Sequence, residues 1–209
     1  MLSDATGVAY ATSIASMFSG ASVREGLAQL SARLEAALPT TLWTHLESVG
    51  RDTDETAFTL WLSRQLVGHP EGVDILWLSL SDMGEELTLC MMRRTASGSI
   101  DDGWPDCELV AARDVPEEIL EPLNEAMWAI SNDSSATEEV QWVAQTCVPL
   151  VWAGLALGRA LQELPTTVLL GNDSARRVAA FFAEGDTMFL GNVDANGFHF
   201  DEPPNLEAA

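Results

Sequence analysis

Residues 73–92 read VDILWLSLSDMGEELTLCMM, two short runs rich in aliphatic residues on either side of DMGE. Runs this short suit strands better than helices, and Asp82 and Gly84 supply the turn between them. The stretch therefore predicts an antiparallel hairpin. Upstream, Ser22 and Glu25 stand at capping-box spacing, and Leu27, Leu30, Leu34 and Leu38 recur at helical intervals until Pro39. Asp52 and Glu55 repeat the capping pattern before a stripe of Phe58, Trp61, Leu62 and Leu66 that Gly68 and Pro70 end. Two amphipathic helices are expected ahead of the hairpin.

Downstream, CELVAA from Cys107 to Ala112 predicts a third strand, reached through the acidic connection SGSIDDGWPD. Pro116 then opens a helix in PEEILEPLNEAMWAIS, and Thr137 with Glu138 and Glu139 starts a long one running to about Leu164. The remainder reads as strands at Val168 to Leu170, Val178 to Phe182 and Met188 to Val193, with Gly-Asp and Asn-Gly turns between them. Helices, strands, helices and strands in that order predict an α+β fold, a mostly antiparallel sheet packed against several helices. The helical break between the strand groups permits a mixed sheet. A single domain over residues 1–200 is expected, with residues 1–21 a flexible or helical arm and residues 201–209, DEPPNLEAA, a disordered tail.

The charge balance bears on function. Thirty-two Asp and Glu face ten cations, all of them Arg, for a net charge of −22. Such a surface repels phosphate backbones and anionic headgroups, so neither a nucleic acid nor a membrane is the expected partner; a basic protein is. Residues 96–140 hold twelve of the acids and Arg113 alone among the cations, half of the net charge. Concentration of this kind is what a face for a basic partner requires. A proteome-wide preference against Lys accounts equally well for the missing Lys.

Three cysteines without CxxC spacing, and an N-terminus without a basic region, point to the reducing cytoplasm. The uncharged stretch Val140 to Gly158 carries Gln141, Gln145, Thr146 and Pro149 and reads as a buried core helix. No catalytic constellation emerges. His45, His69 and His199 sit in no recognisable motif, Cys90 and Cys147 fall at core positions, and Asp106 and Glu108 beside Cys107 oppose a thiolate there. The chain has no Lys for a phosphate loop at Gly154 to Gly158, which reads as a close-packing patch. Asn192-x-Asp194-x-Asn196-Gly197 matches the opening of an EF-hand loop, but Pro203 occupies the closing position, and a hairpin turn explains the same residues. Neither a cofactor nor a metal is expected, and the chain is read as a non-enzyme.

Of seven tryptophans, Trp43, Trp61, Trp77, Trp128, Trp142 and Trp152 lie in segments with apolar periodicity and are expected in the core. Trp104 differs, lying in a loop of carboxylates and turn residues where it suits an interface anchor. The expected partner-binding residues are accordingly Asp101, Asp102, Trp104, Asp106 and Glu108, extended by Asp82, Glu85 and Glu86 if the fold brings the two loops together.

VAAFFAEGDTMFLGNVDANGF, residues 178–198, resembles the closing strands of small acidic immunity proteins encoded beside bacterial polymorphic toxins. The resemblance implies a non-enzymatic cytoplasmic protein that binds one cognate toxin domain and occludes its active site. It implies no individual residue roles. Two other readings stay open: an enzyme with an unrecognised site, and an acidic chaperone-like or adaptor-like interaction protein.

Overall fold

The structure, a computed structural model, describes residues 21–50, 52–81, 86–95, 107–182 and 187–201. Helix α1 spans Val23–Ala37, and the expected capping box starts it: Ser22 Oγ accepts from the Glu25 amide at 3.2 Å while Glu25 accepts from the Ser22 amide at 2.9 Å. A 3₁₀ helix over Thr41–Ser48 follows, which the sequence reading did not anticipate, and α2 spans Asp52–Leu66. Glu55 ties these helices together by accepting from the Val23 amide at 2.5 Å.

The predicted hairpin forms as β1 (Ile75–Leu80) and β2 (Leu87–Arg94), and β3 (Cys107–Asp114) extends two residues beyond its expected end. Next come α3 (Glu117–Ser131) and α4 (Glu138–Glu163), the latter capped by Thr137 as the sequence suggests. The following segment corrects the reading: Val168 to Leu170 belongs not to a strand but to a short helix, α5 (Thr166–Leu170). Pro165 has the fixed φ that suits a helix start, and its carbonyl accepts from both the Val168 and Leu169 amides. Gly171 then ends the turn at φ +56, a conformation that other residues rarely adopt. Strands β4 (Arg176–Phe182), β5 (Thr187–Asp194) and β6 (Gly197–Phe200) complete the fold.

The strands form one six-stranded sheet in the order β3-β2-β1-β4-β5-β6. All neighbours are antiparallel except β1 and β4, which run parallel at the centre with Ile75 opposite Arg177 and Leu80 opposite Phe182. This is the α+β fold with a mostly antiparallel sheet. Leu76, Leu78 and Leu80 of β1 point one way and are fully buried under the helical layer. Helix α4 lies against β1, β4 and β6, with α1, α2 and α3 packed around it. Its apolar run is the spine of the core, and Gly158 lets the sheet come close: a Cβ there would sit 2.5 Å from the Phe200 ring.

Candidate functional site

Among the described residues, the largest aromatic side chain left in solvent marks where the surface is most unusual. Among the described residues the exposed large hydrophobics are Leu60, Val67, Leu109 and Trp128, and Trp128 at 69 % is the most exposed. Its expected place in the core is thus corrected. Helix α3 buries Ile119, Leu120, Leu123, Ala126, Met127 and Ile130, and at 100° per residue Trp128 falls outside that arc. Steps of four, four and three place it in line with Glu117, Glu121 and Glu125. Trp43, Trp61 and Trp152 are buried as expected, and Trp77 and Trp142 are half-buried.

This stripe forms one wall of an open groove. Glu117, Glu121, Asn124, Glu125 and Trp128 line one side of a concavity of about 570 Å³. A second, of about 430 Å³, shares Glu117 and Asn124 with it and continues to Glu86, Leu87, Asp114, Val115 and Leu120. The strand side is held firmly. Val115 donates to the Leu87 carbonyl at 2.8 Å, Thr88 Oγ1 donates to Asp114 at 2.8 Å, and the Glu86 amide donates to Ser81 Oγ at 3.1 Å. Five carboxylates therefore line the two concavities, and among the described residues no Arg or His does.

Carboxylates four apart on a helix repel, each such pair costing roughly 0.2–0.5 kcal/mol. Glu117 is compensated in part by its place in the first turn, where the helix dipole favours an acid. Glu121 and Glu125 lack that help. A cationic partner lying along the groove would relieve the repulsion, and Trp128 at its end offers both an apolar surface and a ring face to a guanidinium.

Of the eight residues expected to bind a partner, Glu86 and Glu108 are described; Asp82, Glu85, Asp101, Asp102, Trp104 and Asp106 lie outside the described residues. Glu86 lines the groove. Glu108 does not: it pairs across the sheet with Arg93, its carboxylate 3.0 Å from the guanidinium. Glu86 and Glu108 thus stand at opposite ends of β2, roughly 23 Å apart along the strand. The residues missed are Asp114, Glu117, Glu121, Glu125 and Trp128. Helical spacing within residues 117–128 was the signal that could have found most of them.

The chemically reactive groups lie elsewhere. Burial pushes the Cys147 thiol up, and burial together with Asp114 does the same for Cys90. His69 contacts Arg176, and His199 lies 3.3 Å from Asp194 on an exposed hairpin. That hairpin is the calcium-like stretch, where Asp194 accepts from the Asn196 amide at 2.7 Å, a bond that holds the turn and keeps the carboxyl below its usual range. The candidate membrane helix is α4, its apolar window 78 % buried inside the fold. Compared with protein families, with curated proteins and with solved structures, the chain matches none.

Proposed function

We propose that this chain is a non-enzymatic acidic binding protein of the immunity-protein kind, which occupies the anion-binding face of a basic toxin domain. The observation that carries the reading is Trp128, 69 % exposed at the end of a groove whose charged lining residues, among those described, are all acidic. Carboxylates in such an arrangement speed encounter with a cationic surface, and an aromatic anchor slows separation. The Arg and Lys with which a nuclease or other nucleotide-directed enzyme holds its substrate are the cations that this groove fits. Binding there would neutralise the toxin by covering its own substrate site, with no chemistry asked of the inhibitor.

The test is to express the product of the adjacent gene with and without this chain, and to measure their association. Growth should be restored by the wild-type chain. Reversing Glu121 and Glu125 to Lys should slow association about tenfold and flatten its salt dependence. Trp128→Ala should act on dissociation, costing about thirtyfold in affinity. Full protection and unaltered kinetics in all these variants would remove the groove from the interface. A neighbouring product that is neither toxic nor bound would remove the immunity reading itself.

A further inference from the structure

We propose that β3 is a self-association edge, along which two copies of this chain pair β3 to β3, antiparallel, about a two-fold axis. The inference is independent of the groove. Strand β3 ends the sheet, eight residues long and without a Pro, and among the described residues no strand pairs with its outer side. An edge of this length is a template for another strand.

The backbone specifies a register. Asp74 donates to the Met92 carbonyl at 2.9 Å, so even-numbered residues of β2 turn towards β1; Val115 donates to that of Leu87 at 2.8 Å, so odd-numbered ones turn towards β3. Arg113, Ala111 and Glu108, opposite Leu89, Met91 and Arg93, therefore direct their peptide groups into the sheet. Leu109 and Ala112 direct theirs outward. The bulge between Met91 and Met92 sets these outward positions three apart, where a regular strand would set them two or four apart. A two-fold axis between Val110 and Ala111 then brings Leu109 opposite Ala112 of the second copy, each able to exchange both backbone hydrogen bonds. In the single chain Arg113 donates to the Ala112 carbonyl at 2.7 Å, so this outward acceptor is within reach of an exposed donor.

The same register is complementary in side chains. Glu108 and Arg113 oppose Arg93 and Leu89, so both lie on the helix-bearing face of the sheet. The axis places Glu108 of one copy opposite Arg113 of the other, and the arrangement occurs twice. Arg93 already holds one carboxylate oxygen of Glu108 at 3.0 Å, leaving the second oxygen for the incoming guanidinium. On the opposite face Leu109, 57 % exposed, would cover the Ala112 methyl of the second copy. Hydrogen-bond direction, face and charge agree on one pairing, which is why a second copy is the occupant chosen over a strand of another protein.

Sedimentation velocity at about 0.3 M salt, where screening limits the repulsion between two chains of net charge −22, tests the proposal. The wild-type chain should dimerise. Glu108→Arg alone opposes two cations and Arg113→Glu alone two anions, and each should weaken the dimer about tenfold. The chain carrying both substitutions should recover wild-type association, although its contact between residues 93 and 108 is lost. Ala112→Pro, which removes an outward N–H, should give a folded monomer by circular dichroism. A wild-type chain that is monomeric at about 300 µM, a dimer indifferent to the single reversals, or a double variant that fails to recover would each overturn it.

Discussion

Arg176 is the charged side chain that the core of the described residues takes in completely, its guanidinium having no solvent exposure. It lies 2.7 Å from Asp173 and donates to the Leu170 carbonyl at 3.1 Å, while His69, whose Nδ1 faces the Pro70 carbonyl at 2.7 Å, turns Nε2 towards it at 2.6 Å. One cation thus joins the segment after α2 to the start of β4. Removing its counter-charge would strand a buried ion, so Asp173→Asn should cost about 3 kcal/mol of unfolding free energy, measured by urea denaturation. Partial burial alone would raise the Asp173 carboxyl, but hydrogen bonds from Arg176 and from the Gly72 and Val73 amides outweigh it and hold the group below its ordinary value. A depressed folded-state value means stability that is complete above the unfolded carboxyl's pKa, about 3.9, and lost as pH falls through the folded one. Melting temperature should accordingly fall as acid is added below about pH 4, and less steeply in Asp173→Asn. None of this was legible in the sequence, because Arg176 sits beside Arg177 and only the pairing register separates their settings: Arg177 faces Asp201 at 2.5 Å and lies over Phe189. Trp128 was legible. Its spacing from Glu117, Glu121 and Glu125 is visible in the chain, and treating every apolar residue of an amphipathic segment as core hid it.

Among the described glycines, the closest approach between elements is where β5 meets β6. A Cβ on Gly191 would lie 2.0 Å from the His199 carbonyl oxygen, which is backbone and cannot swing aside. Gly191→Ala should therefore loosen the last hairpin and cost about 3 kcal/mol, and hydrogen exchange should show β6 amides losing protection before those of β1. The helix starts and the first hairpin could be read from sequence because their signals are local: a capping box at Ser22, a Thr cap at Thr137, two short aliphatic runs about the DMGE turn. Val168 to Leu170 could not, since a short apolar run carries no periodicity with which to separate strand from helix. Gly191 likewise gave no sign, its requirement being set by a strand eight residues further on that must approach it. The acidic groove lies between these cases: its α3 wall is local, but Glu86 and Asp114 join it only because β2 and β3 are paired with Thr88 opposite Asp114.

For the whole molecule, net charge outweighs any local cation. Arg93–Arg94 and Arg176–Arg177 are the only adjacent basic pairs in the sequence, and the structure engages Arg93, Arg176 and Arg177 with carboxylates. Neither DNA nor RNA should be retarded in a gel by micromolar protein at moderate salt, and a salt-sensitive shift would contradict the reading of the surface. The fold class followed from the order of segments, whereas the strand order did not, because nothing in either β1 or β4 names the other. That central parallel pair has a consequence for how the chain is made. Ile75 and its partner Arg177 are separated by the whole of β2, β3, α3, α4 and α5. At translation rates of roughly 5–20 residues per second, the inner edge of β1 waits about 5–20 s before β4 exists to cover it. Until then any sheet that β1, β2 and β3 form would leave the most aliphatic strand bare on one side, and synthesis, not collapse, sets the earliest moment at which the two halves can close.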